Sequence, residues 1–194
     1  CKATCLALAS THFRSLALPA PRPFVFVGVF TEMKTISAFA MHSPICIEKN
    51  KFGNVEQWCP KNSGDKYGRT RTLKNALANS VNTITARLMD RIGPRTVVKL
   101  AKDLGIEQRI LPVPSIALGT PDLSVYEMVA AYSTFANKGV YTQPVFIERI
   151  DDKNGTTLYK NQPVTRDVLS EEAAYVTVNL LEGVTKAGSG TRLR

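Results

Sequence analysis

At Ser80-Val81-Asn82 a hydroxyl and a carboxamide stand two residues apart in a short polar break. A hydroxyl beside a primary amide offers a proton relay and a rigid donor–acceptor pair for a peptide group. Such a pair suits acyl transfer at an amide, where the leaving nitrogen must gain a proton. Geometry sets a condition on this reading. On a continuous helix, residues i and i+2 point about 200° apart, so the two side chains could not serve one pocket. In a tight loop between helices they can converge. The break runs from Asn79 to Thr83. Its residue types bond the local backbone, and so cap helices and form turns. The plainer reading is a helix–helix junction, in which one of these residues caps the helix carrying Ile84, Leu88 and Ile92.

The elements that must position this break are legible from about Lys51 onward. Ile92 and Gly93 close one helical run, and Pro94 opens the next, where its missing donor costs nothing. Val97, Leu100, Ala101 and Leu104 follow at helical spacing, with Gly105 as the stop. A further helix is expected after Asp122 as N-cap, with Val125, Met128, Val129, Tyr132 and Ala136 as its buried stripe and Gly139 as its end. Residues 143–151 and 156–160 read as a hairpin around Asp152-Lys153-Asn154-Gly155, where Asn-Gly supplies positive backbone angles. Ser170 caps a last helix, with Glu171 and Glu172 in its first turn and Ala173, Val176, Leu180 and Val184 on its inner face. This is a mostly helical α+β pattern with no internal repeat.

The chain has 194 residues, 44% hydrophobic and 21% charged, which is ordinary globular usage. No apolar run reaches the roughly 18 residues a spanning helix needs. The longest, Phe24–Phe30, follows Pro21 and Pro23 and makes a poor signal peptide. The net charge of +9 reads as a solvated basic surface. No Lys/Arg stripe interleaved with aromatics and no zinc-finger spacing accompanies it, so a nucleic-acid partner is not expected. The cysteines are Cys1, Cys5, Cys46 and Cys59; with His12 and His42 they fit no metal site, and their disulfide state is left open. Residues 1–45 show no sustained period and are assigned no structure. A disordered extension and a non-native segment are both open for them.

The stretch TLKNALANSVNTITARLMDRIGP resembles the helix–motif–helix of class A penicillin-binding proteins, with Ser80-Val81-Asn82 as their Ser-X-Asn motif. LGI at 104–106, VPSIALGTPDLSVYEMVAAYSTFANKGVY at 113–141, IDDKNGTTLY at 150–159 and AAYVTVNLLEGV at 173–184 resemble the segments that follow it in that family, in the same order. The resemblance covers roughly residues 50–194. It implies the transpeptidase fold shared with serine β-lactamases, a helical subdomain beside an antiparallel sheet, here incomplete over residues 46–194. It implies D,D-transpeptidase chemistry on peptidoglycan stem peptides, with β-lactams acylating the same nucleophile and no cofactor or metal. Ser80 then relays a proton and Asn82 orients the substrate amide. The parent is expected to sit on the extracytoplasmic face of the bacterial inner (plasma) membrane, held by an N-terminal anchor missing from this chain.

Two further motifs of the family are not found in recognisable form. Its nucleophile is the Ser of a Ser-X-X-Lys helical turn, some tens of residues before Ser80. Ser63-Gly64-Asp65-Lys66 fits the letters but reads as a loop too near Ser80. Thr31 and Lys34 have the spacing, with a β-branched hydroxyl as nucleophile and Glu32 between them as departures. Lys186-Ala187-Gly188 follows a helix without the strand that carries the family's Lys-Thr/Ser-Gly motif. Groups acting as one catalytic unit fail together when one is lost, so this chain is expected to be inactive. A sheet lacking a middle strand is also expected to leave the fold marginal or aggregation-prone. The alternative is a non-catalytic relative that binds cell-wall peptides or another protein.

Overall fold

The computed structural model describes residues 39–40, 42–68 and 70–193. Strand β1 (Phe39–Ala40) pairs antiparallel with β2 (Arg71–Thr72). Helices α1 (Leu73–Ala78), α2 (Asn82–Ile92) and α3 (Pro94–Asp103) follow in quick succession. Helix α4 (Val125–Ala136) then runs into β3 (Val140–Thr142). The hairpin of β4 (Arg149–Asp151) and β5 (Thr157–Lys160) leads through β6 (Thr165–Asp167), which pairs back antiparallel with β3. Helix α5 (Glu171–Ala187) closes the order. Among the described residues the strands form three separate two-stranded antiparallel ladders, and no helix is long and apolar enough to cross a membrane.

Two apolar clusters hold the helices. One gathers Leu73, Ala76 and Leu77 of α1, Val81, Ile84, Leu88 and Met89 around α2, Val97 of α3 and Leu180 of α5. The other joins Leu100, Ala101, Leu104 and Ile106 to Ala131 and Phe135 of α4 and to Leu169. The expected face of α3 is the observed one, because Pro94 and Gly105 are local signals that fix both its ends.

Helix α4 differs from expectation at its start and on its face. Its N-cap is Ser124, not Asp122. Ser124 and Glu127 form a reciprocal capping box, and Asp122 has no acceptor three residues on to match it. The buried residues are Glu127, Ala130, Ala131, Thr134 and Phe135, while Val125 and Val129 are exposed. The cause is tertiary. Glu127 Oε1 accepts the backbone amides of Glu107 at 3.0 Å and Gln108 at 2.9 Å, which turns that side of the helix inward. On α5, Ser170 caps as expected by accepting from the Ala173 amide. The buried set is Ala174, Thr177, Leu180 and Gly183, with Val176 and Val184 only half-buried.

The hairpin forms where expected, but its strands are shorter than residues 143–160 suggested and both are exposed. In its turn only Gly155 adopts positive φ, at +84°. The Asp152 carboxylate supplies the rest by accepting the amides of Asn154 and Thr156, each at 2.8 Å. Arg166 of β6 stacks on the Tyr141 ring and donates to the last carbonyls of α3, at Lys102 and Asp103. That contact fastens the small sheet to the helices through a cation at a helix C-terminus.

Cys46 and Cys59, whose disulfide state the sequence left open, form a disulfide. Just inside it, Ile47 and Trp58 exchange both backbone hydrogen bonds, at 2.8 and 2.9 Å. The bonded pair closes a strap, residues 42–68, laid along α2 from Asn82 and Thr83 at its start to Asp90 near its end.

Candidate active site

The polar break is real, and it is two residues shorter at its C-terminal end than the letters suggested. Helix α1 ends at Ala78 and α2 begins at Asn82, so Asn82 and Thr83 already lie in the helix. The Ser80 amide donates to Leu77 O at 3.0 Å and the Val81 amide to Ala76 O at 2.9 Å. This pair of bonds is a Schellman ending, and its left-handed residue is Ser80, at φ +52°. At the end of α3 the same position is taken by Gly105, and at the end of α4 by Lys138 at φ +56°. A side chain in this conformation costs about 1 kcal/mol relative to glycine. The continuous helix that would have separated Ser80 from Asn82 is therefore not what the chain adopts.

The strap holds the far side of this turn. Helix α2 has Val81 as N-cap, and no side chain of its own satisfies its first amides. Asn62 does so from 21 residues upstream: its Oδ1 accepts the Thr83 amide at 3.1 Å. The Asn62 Nδ2 reaches Lys66 O at 3.0 Å and Thr83 Oγ1 at 3.2 Å. One residue earlier, Lys61 O accepts the Asn82 side-chain amide at 2.5 Å.

Behind Asn62 lies His42, buried at 4% exposure. Both its ring nitrogens face donors, Arg71 Nε at 3.2 Å and Asn62 Nδ2 at 2.9 Å. A neutral imidazole has one acceptor nitrogen, so it satisfies one donor at a time. Burial, and then the Arg71 guanidinium, push the His42 pKa below its ordinary 6.5. Arg71 extends the network to Asn75 Oδ1 of α1 at 2.9 Å.

The near side of the turn is held by the end of α5. The Ser189 amide donates to Ala78 O at 2.9 Å. The approach is close enough that a Cβ on Gly188 would lie 2.2 Å from that carbonyl oxygen, so only glycine fits. Lys74 of α1 adds a bond to Asn179 of α5 at 2.8 Å.

Of the other candidates, Ser63-Gly64-Asp65-Lys66, expected as a loop, is a single irregular 3-10 turn over Ser63–Asp65 that ends at Lys66. Gly64 and Asp65 have positive φ, so Ser63 and Lys66 share no helical turn. Lys186 and Ala187 end α5, and Gly188 to Leu193 continue without a strand. Thr31, Glu32 and Lys34 lie outside the described residues, as do Cys1, Cys5 and His12. Among the described residues no three His, Cys, Asp or Glu side chains gather as metal ligands.

Sequence reasoning missed Asn62 and His42, and it left the pairing of the cysteines open. Asn62 sits in a loop with no periodicity, and its partners are 20 and 21 residues away. The only local signal was the flanking of Ile47 and Trp58 by the two cysteines.

The family model for the penicillin binding protein transpeptidase domain matches residues 39–194. Penicillin-binding protein 1A of Aquifex aeolicus is 37% identical over 137 residues, which is 71% of this chain and 19% of that protein. Penicillin-binding protein 2D of Bacillus subtilis is 38% identical over 130 residues, 66% of this chain and 19% of that protein. The chain thus spans about a fifth of the length of these relatives. In fold it is similar to the crystal structure of penicillin-binding protein 1A from Haemophilus influenzae, with a TM-score of 0.79 and 24% identity over 90% of this chain and 31% of that one. It is also similar to penicillin-binding protein A of Mycobacterium tuberculosis in its imipenem acyl-enzyme complex, with a TM-score of 0.67 and 17% identity over 87% of this chain and 44% of that one.

Proposed function

The chain belongs to the penicillin-binding protein transpeptidase family, in its class A branch, and on that premise we propose that it is a piece of a peptidoglycan D,D-transpeptidase whose Ser80 and Asn82 face the substrate. One observation carries the site assignment. The chain breaks between α1 and α2, holds Ser80 left-handed and starts α2 at Asn82. A hydroxyl in that turn can pass a proton to a leaving amine, and the carboxamide beside it can hold a peptide group in register.

The reaction class is serine acyl transfer to peptide stems of the cell wall, with β-lactams as mimics of the acyl donor. The domain works on the extracytoplasmic face of the inner membrane, where an oxidising environment suits a disulfide such as Cys46–Cys59. Ser63 and Lys66 share no helical turn, Gly188 to Leu193 form no strand, and we include the inactivity of this polypeptide in the proposal.

Titration of the chain with a peptide ending in D-Ala-D-Ala tests the reading, followed by amide NMR. The expected result is a perturbation centred on Ser80 and Asn82 that Ser80→Ala weakens. Fluorescent penicillin is expected to leave no covalent adduct. A peptide that perturbs other regions and spares Ser80 ends the site assignment, and an acylated chain ends the claim of inactivity.

A further inference from the structure

We propose that Asn62 is a positioning residue for the Ser80-Val81-Asn82 turn, acting as a remote cap on α2, and that the Cys46–Cys59 disulfide holds Asn62 in place. The proposal rests on the reading of that turn as the substrate-facing site, and its test does not.

The first turn of any α-helix leaves amides without intrahelical partners. Helix α2 begins with an apolar N-cap, Val81, so something outside the helix must take the Thr83 amide. Asn62 Oδ1 takes it. The bond lies one residue beyond Asn82, and Lys61 O, one residue before Asn62, takes the Asn82 amide nitrogen. Two adjacent residues of the strap thus grip two adjacent residues of α2. With its nitrogen donated to a fixed carbonyl, the Asn82 carboxamide cannot turn over without losing that bond.

Asn62 could instead have served only its own loop. It does bond Lys66 O there, but its remaining side-chain contacts cross to Thr83 and to His42. The strap carries few buried apolar groups; Arg87 of α2 ties down Ser43 and Pro44 at its start and Asp90 pairs with Lys51, and the closure joins those anchored segments to the one that carries Asn62. Cys59 lies three residues before Asn62, and Cys46 four residues after His42. The bond between them ties together the two segments that carry the network. The doubly bonded Ile47–Trp58 bridge stiffens the closure, and Pro60, buried between Cys59 and Lys61, limits the backbone further.

Amide hydrogen exchange and side-chain NMR on the full chain test this, comparing Asn62→Leu, Asn62→Asp and the double variant Cys46→Ser/Cys59→Ser. In Asn62→Leu the Thr83 amide is expected to exchange about tenfold faster, the equivalent of one lost hydrogen bond. The Asn82 side-chain amide resonances are expected to move, with Leu100 and Ala101 of α3 unchanged. Asn62→Asp keeps the acceptor oxygen and is expected to bring Thr83 exchange back to within about threefold of the parent chain. The cysteine double variant is expected to loosen Thr83 as Asn62→Leu does, to a smaller extent.

Unchanged Thr83 exchange in a folded Asn62→Leu chain overturns the proposal, and so does an equal loss of protection across α2 and α3. Should Asn62→Leu fail to fold, Asn62→Asp decides, and a Thr83 amide left unprotected in it also overturns the proposal. If Thr83 and Asn82 respond while a D-Ala-D-Ala peptide leaves Ser80 untouched, positioning stands and the proposed function falls.

Discussion

The strap and the helices hold the same turn by different means. On the helical side the hold is apolar and spread out: Leu73, Leu77, Val81, Ile84, Leu88 and Met89 are all buried in one cluster. On the strap side Ile47 is buried, Trp58 only partly, and the rest is a disulfide, a histidine, the Lys51–Asp90 ion pair and hydrogen bonds from side chains such as Asn62, Arg71 and Arg87. Apolar burial is non-directional and shared among many contacts. A polar strap concentrates its hold in a few directional bonds, each lost outright when one partner leaves. The difference teaches that the two sides should fail differently. Damage to the helices should unfold the domain, whereas damage to the strap should release the turn and leave the helices standing.

The largest expected effect comes from the helical side. Ile84 is fully buried, and Ile84→Ala should cost about 2–5 kcal/mol, read as a lower urea midpoint for the whole chain. A loss confined to the strap would break the comparison.

Next comes the Cys46→Ser/Cys59→Ser pair. Its 13-residue separation corresponds to about 3 kcal/mol of loop-closure stabilisation in the chain-entropy model. Unfolding monitored separately at Trp58 and by helical circular dichroism should split into two transitions, the strap melting first. Coincident transitions would show that strap and helices are one unit.

A smaller effect follows from acid. The folded pKa of His42 lies below its unfolded value, so the unfolded chain binds the proton first. Stability from the neutral ring is full above pH 6.5 and is lost as the pH falls through the folded pKa. A urea midpoint that drops between pH 7.5 and 5.5 in the parent chain, and holds steady in His42→Gln, is the expected result. An equal drop in both would place the acid sensitivity elsewhere. Glu127 acts in a lower window. The Ser124 hydroxyl, followed by the amides of Gln108, Ser124 and Glu107, lowers its pKa, so its contribution is lost only as the pH falls below 4.5.

The smallest effect should come from the hairpin. Leu158 is 68% exposed, and Leu158→Ser should change stability by no more than about 0.5 kcal/mol in the same urea titration. A larger loss would show that β4 and β5 are packed against something in solution.

Legibility followed the range of the interactions. Helix α3 could be read because Pro94, Gly105 and a 3.6-residue period are all local. The break at Asn79–Val81 was legible for the same reason: its residue types compete with helix wherever they cluster. The face of α4 was not legible. Sequence reasoning assigned Glu127 no role, yet it is a buried acceptor for amides 19 and 20 residues away. A period count can rank apolar faces, but it cannot see that orphan amides elsewhere need a carboxylate. The α5 face was read in part, because Gly183 and Ala174 are buried by close helix approach, and small residues leave little apolar signal.

By itself the sequence determined the helices α1 to α3, the turn that interrupts them, the hairpin, and the order of segments that marks the family. These are consequences of local propensity, whose causes lie within a few residues. Only the tertiary structure decided what holds that turn: Asn62 over Thr83, Lys61 over Asn82, Ser189 over Ala78 and the Cys46–Cys59 closure. Such partners are chosen by which unsatisfied groups chain folding brings within about 3 Å of one another, and no local pattern records that meeting.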